Sequence, residues 1–208
     1  THSPAIPNRT QQVFVTAQIV DELPAGSSAT VFYRTWLPSG ATPATAFAQV
    51  VMQDNGLRQD GAAGDGVYGA VIPAQELNTV VEFYVQATDA GSNSRTWPAP
   101  TLDLAGANPS QNANCLYQVT EEVWTDHRPL YQMVMTGADN ASWNAGLANR
   151  SSNVAPNTTV IFRTGNRFDV RYRGAVRTRG NSSRGDTPLN LRMDIPKDHN
   201  WNGRTAFT

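Results

Sequence analysis

Cysteine is almost absent from this 208-residue chain, where Cys115 stands alone. A single thiol excludes an intrachain disulfide and any cysteine-rich zinc site, and it reads as a small buried hydrophobe. Lysine is as scarce: Lys197 is the only one among 16 basic residues. No run approaches the ~18 apolar residues of a membrane-spanning helix, and the first residues carry no charged-then-apolar targeting pattern. Net charge is lacking too, since 16 basic against 17 acidic residues leave −1. Such a balance gives no general attraction to nucleic acid or to an acidic membrane surface.

The hydrophobic fraction of 39% with 9% aromatics fits a folded globular chain rather than a disordered one. Charge is distributed unevenly. Residues 1–110 hold four arginines and nine acids (−5), whereas residues 111–208 hold twelve basic residues and eight acids (+4). That asymmetry points to two domains.

No helical period of convincing length occurs before residue 105, and the alternation there has period two. In "QQVFVTAQIV", Val13, Val15, Ala17 and Ile19 share a face; in "TVVEFYVQATDA", Val81, Phe83 and Val85 oppose Glu82, Tyr84 and Gln86. Short strands separated by turn residues predict a β-sandwich over 1–104. The Pro- and Asn-rich stretch 105–119 reads as a linker. Residues 120–208 read as an incomplete α+β portion rich in antiparallel strands, with a short helix carrying Asp139 as N-cap and Trp143 and Leu147 on one face. The expected fold class is therefore mainly β.

Two segments invite a functional reading. In "QDNGLRQDGAAGDGVYGAVIP", Asp54, Asp60 and Asp65 lie among glycines. Calcium takes six to eight oxygen ligands, so a structural Ca²⁺ is one reading; Asx-turns in which the carboxylates accept backbone N–H groups are the other. In "VRYRGAVRTRGNSSR", apolar and cationic residues alternate, so one face is read as apolar and the other as arginine-rich, with Gly174 as a bend or bulge. A solvated hairpin face explains this pattern. Nucleic acid is not expected, because no aromatic interleaving or reader motif accompanies the arginines. A phosphate site at Gly180, Asn181, Ser182 and Ser183 is the sharper alternative: small residues let amides approach an anion and arginines add forked donors.

Resemblances add to this. The run "MQDNGLRQDGAAGDGVYGAVIPA" with "VEFYVQATDAGSNSRTWP" resembles the Ig-like or fibronectin-type modules of secreted bacterial multidomain proteins. "VRYRGAVRTRGNSSRGDTPLNLRMDIPKDHNWNGRTAFT" and "YQMVMTGADNASWNAGL" resemble the N-terminal part of the spore-coat CotH kinase family. That second resemblance implies a secreted or cell-surface enzyme using ATP with Mg²⁺ or Mn²⁺ on a protein substrate. Arg179, Gly180, Asn181, Ser182 and Ser183 would cover the phosphates, and Arg192 would reach toward them. The chain departs from the family where lysines are expected, carrying Leu189, Asn190 and Asp194 instead. Nothing resembles H-R-D or D-F-G, so no catalytic residue is assigned and the chain is expected to be an inactive fragment of a kinase.

The alternative is a non-catalytic extracellular binding or structural module contacting a protein partner or glycan. The incomplete sheet would leave strand edges through which copies could associate. The five tryptophans, Trp36, Trp97, Trp124, Trp143 and Trp201, are read as packing residues with a sugar-binding surface as the competing role. His2, His127 and His199 sit in no hydrolase-like arrangement.

Overall fold

The computed structural model describes residues 1–21, 26–37, 40–102, 109–126, 128–149, 152–180, 184 and 187–207. The chain is mainly β, with antiparallel pairing throughout and one α-helix among the described residues. Strands β1 (His2–Ser3), β2 (Val13–Gln18) and β5 (Val67–Ile72) form one sheet in the order β1-β2-β5. Facing it is a sheet of β3 (Ser28–Trp36), β4 (Ala48–Val51), β6 (Val80–Thr88), β7 (Ser94–Trp97) and β10 (Cys115–Gln118). Strand β6 pairs with β3 along one edge and shares its other edge between β10, at Val80–Phe83, and β7, at Val85–Thr88. A short ladder of β8 (Thr101–Leu102) and β9 (Pro109–Ser110) lies outside these sheets.

Period-two patterning explains why the two sheets close on each other. Val13, Val15, Ala70 and Ile72 from the first sheet meet Val31, Val81, Phe83, Val85 and Tyr117 from the second in one buried cluster. Removing such side chains from water stabilises the fold by about 1.5–3 kcal/mol each. Cys115 belongs to this core, and burial pushes its thiol well above the usual range, which makes it inert. Thus the stretch expected as a linker contains β10, whose Cys115, Leu116 and Tyr117 are fully buried. Its proline and asparagines precede the strand rather than run through it.

A third sheet holds β11 (Leu130–Val134), β12 (Asn157–Thr164), β13 (Arg167–Thr178), β14 (Leu191–Asp194) and β15 (Ala206–Phe207) in that order. One face packs on the sandwich, where Val134 and Ile161 meet Trp36, Val80 and Leu116. Polar bonds fix the same seam: the Leu116 amide donates to Thr159 Oγ1 at 2.9 Å, and Asn157 Nδ2 donates to the Asn114 carbonyl at 3.1 Å. The opposite face is covered by the C-terminal segment, with Trp201 stacked on Phe162 at 4.3 Å.

Strand β13 corrects the reading of the arginine segment. Residues Arg167–Thr178 form one strand rather than two joined at Gly174. The residue with positive φ is Arg173 (57°), and β13 has one residue more than β12 between the pairs Thr158↔Gly174 and Val160↔Arg171. This bulge changes which face the following residues occupy. Val170 and Tyr172 point into the sandwich, whereas Val176 pairs with Met193 on the opposite, C-terminal layer. The arginines therefore do not share a face. Arg171 reaches the Asn200 carbonyl on the outer layer, and Arg177 sits across from Arg192 on the other side. Glycine is needed next to the bulge because a Cβ on Gly174 would lie 3.1 Å from the Thr158 carbonyl oxygen.

The helix α1 (Gly137–Ala148) also begins earlier than its predicted cap. Thr136 is the N-cap, its hydroxyl accepting from the Asp139 amide at 3.0 Å and donating to Asp139 Oδ2 at 2.6 Å. Asp139 is the third residue of a capping box, in which two side chains satisfy the free helix end together.

Candidate functional site

Of the residues proposed for phosphate binding, Arg179, Gly180 and Arg192 fall among the described residues. Asn181, Ser182 and Ser183 lie outside the described residues, as does His127. Arg179 and Gly180 are exposed at the end of β13, and Arg184 donates to the Gly180 carbonyl at 2.6 Å. Arg192 is held on its own strand by Asp194, with Nη2 2.8 Å from Oδ1; the Asp194 hydrogen bond and charge raise its pKa further. That guanidinium is engaged within β14.

The aspartate loop is organised by its own backbone. Asp60 is buried and accepts from the amides of Asn55, Gly56 and Arg58 at 2.8, 3.0 and 2.6 Å. Burial opposes its ionisation, but the Arg58, Asn55 and Gly56 amides outweigh that cost and hold the carboxyl at about 2. Asp54 accepts from the Gly64 and Gly66 amides, and Asp65 from those of Ala62 and Val67. The carboxylates are spread along the turns as amide acceptors. No group of three His, Cys, Asp or Glu side chains suited to a metal ion converges among the described residues.

A polar network that alternation alone does not reveal lies on the outer face of β6. Glu82 is 2% exposed. Its Oε2 accepts from Arg34 Nε at 2.6 Å and Trp36 Nε1 at 2.7 Å, and its Oε1 accepts from Asn114 Nδ2 at 2.6 Å. Asn114 in turn accepts from Gln111 Nε2 at 2.7 Å, and the same Gln111 nitrogen donates to the Pro98 carbonyl at 2.9 Å. Thr96 completes the chain by donating to Gln111 Oε1 at 3.1 Å. A buried carboxylate thereby anchors the end of β7, where Trp97 stands. Alternation placed Glu82 on the outer face, but its donors come from residues far away in sequence.

Trp97 lines an open concavity. It is 44% exposed and meets Tyr172 edge to face at 5.7 Å. Together they line a cleft of about 680 Å³ where β2, β6, β7 and β13 meet the turn Lys197–His199. Phe83 and Val85 form its floor, while Arg95, Asp198 and His199 supply polar groups. Arg95 and Asp198 are exposed, and neither side chain makes a hydrogen bond or ion pair among the described residues. Burial, and next the charge of Arg171, hold the His199 imidazole below the usual histidine range, so it is neutral near pH 7. Its two ring nitrogens can therefore offer one donor and one acceptor. Trp97 is separated from the other four tryptophans by this exposure on a concave surface, a property that the sequence alone does not carry.

No helix among the described residues is long and apolar enough to cross a membrane. No family model matches the chain, and no curated protein matches it. Solved structures do. A cycloalternan-forming enzyme from Listeria monocytogenes, in complex with pentasaccharide substrate, is 12% identical over 98% of this chain and 14% of its own, with a TM-score of 0.34. An uncharacterized protein from Listeria monocytogenes EGD-e gives 12% identity over the same shares, with a TM-score of 0.33. The chain thus spans about a seventh of the length of those structures. The resemblance to the CotH kinase family and to Ig-like modules is corrected by these findings, since neither family is matched. ATP and Mg²⁺ or Mn²⁺ rested on that resemblance alone.

Proposed function

We propose that this chain is a non-catalytic binding module whose ligand site is the cleft beside Trp97. One observation carries the reading: an exposed indole and uncommitted polar side chains, Arg95 and Asp198, converge on a single open concavity. The contrast with the other carboxylates supports it, because Asp54, Asp60, Asp65 and Glu82 are already engaged in bonds that hold the fold. A cleft of this volume lies within the range of small-ligand sites, which pair apolar walls with a few polar groups that orient the ligand. The Glu82–Asn114–Gln111 chain keeps β7 and its indole in place before a ligand arrives, reducing the ordering cost on binding.

The test is to probe the full chain and its Trp97→Ala variant on arrays carrying both glycans and peptides. Binding that the variant loses, with its melting temperature kept, is the expected outcome. Binding that survives in Trp97→Ala, or no binding by the parent chain to either class, overturns the assignment of the cleft.

A further inference from the structure

Resting on the cleft as the binding site, we infer that its ligand is a neutral saccharide. The rim carries opposite charges, Arg95 and Asp198, which do not pair with each other. An anionic ligand would be attracted by one and repelled by the other, and a cation likewise, so this pair gives the rim no preference for net charge. What the rim does favour is a neutral group that both donates and accepts. Asp198 accepts, Arg95 donates, and a neutral His199 and the Gln18 amide can do either.

The walls add a second requirement. Trp97 offers an accessible indole, Tyr172 stands edge-on beside it, and Phe83 and Val85 continue the apolar surface. An occupant must therefore be apolar on one side and rich in hydroxyls at its edge. A pyranose ring meets both conditions, since its C–H face lies on an aromatic surface while its equatorial hydroxyls project outward. Hydroxyls held by charged side chains contribute more than those held by neutral ones. A lipid tail would leave Arg95 and Asp198 desolvated without partners, which is costly. At about 680 Å³ the cleft has room for more than one ring of a chain.

Cellohexaose and maltohexaose are the probes, titrated into the full chain and followed by calorimetry and by the indole N–H resonance of Trp97. At least one should move that resonance and bind with an affinity unchanged between 50 mM and 500 mM salt, as a neutral ligand requires. Asp198→Asn and Arg95→Gln should each weaken binding about tenfold, and Trp97→Ala should abolish it while unfolding at the parent temperature. A hexapeptide that moves the Trp97 resonance where neither saccharide does would overturn the saccharide and leave the cleft as the site. Silence from every probe would overturn both. A salt-sensitive affinity would also sink the inference, because it would mean that ionic groups dominate.

Discussion

The Tyr172 hydroxyl lies 2.5 Å from His2 Nδ1, joining two residues 170 positions apart inside the sandwich. His2 Nε2 is 3.1 Å from the Ala5 carbonyl, which can only accept, so the proton sits on Nε2 and Nδ1 accepts from Tyr172. The ring also stacks on Tyr117 at 5.2 Å. The third sheet is thereby fastened into the first core by one aromatic side chain.

Tyr172→Phe should destabilise the chain by about 1–3 kcal/mol, because it leaves the buried Nδ1 without its donor. Tyr172→Ala should cost about 3–5 kcal/mol, since a cavity is added. Urea titrations of the two variants against the parent measure both values. Equal stabilities for Tyr172→Phe and the parent would remove the hydrogen bond from the account.

The same pair predicts a pH dependence. Burial lowers the His2 pKa from 6.5 to about 4 in the folded chain. The unfolded chain therefore takes up the proton first as pH falls. The stabilising contribution is complete above about 6.5 and is lost progressively as pH falls toward 4, by about 3 kcal/mol over the whole window. Unfolding free energies measured from pH 7 to pH 5 should decline in the parent and stay flatter in His2→Gln. His199 contributes with the same sign, as its pKa is also lowered, so the difference between the two profiles isolates His2.

Glu82 should separate removal of charge from removal of the whole side chain. Glu82→Ala leaves Arg34, Trp36 and Asn114 with unanswered donors and is expected to cost about 3–5 kcal/mol. Glu82→Gln keeps an acceptor and should cost less. Both should also disturb the Trp97 indole resonance, because Gln111 relays the Asn114 position to Thr96 and to the Pro98 carbonyl. Loss of stability with an unmoved Trp97 signal would show that the chain of bonds does not position the indole.

The aspartate loop should be indifferent to metal. Its carboxylates are committed to amides, so EGTA or added Ca²⁺ should leave the melting temperature unchanged. Asp60→Ala should lower it, since three amides lose their acceptor at once. A calcium-dependent rise in melting temperature would restore the cation reading.

What the sequence made legible depended on periodicity. The β6 alternation placed Val81, Phe83 and Val85 in the core correctly, because each strand position there has one neighbour on each side and no irregularity. The same rule failed at Arg173, where an extra residue breaks the parity that alternation assumes. It was silent about Glu82, whose burial is caused by donors from β3 and from the segment before β10. The helix start was displaced because Thr136 and Asp139 share the cap and only the acidic partner was recognised. The cleft was invisible for a related reason: Thr96, Trp97, Tyr172 and Asp198 come together only after the third sheet has docked.

The bulge at Arg173 makes β13 behave as a crossover switch between two hydrophobic compartments. Side chains before it feed the sandwich, and those after it feed the layer around Phe162 and Trp201. Deleting Arg173 would shorten the chain by a single position and remove the extra residue, so that Tyr172 leads straight into the Thr158↔Gly174 pair and segment 174–178 keeps its present faces. Substitution at Arg173 is a local event. A frame-preserving deletion would regularise the ladder and leave Val176 opposite Met193.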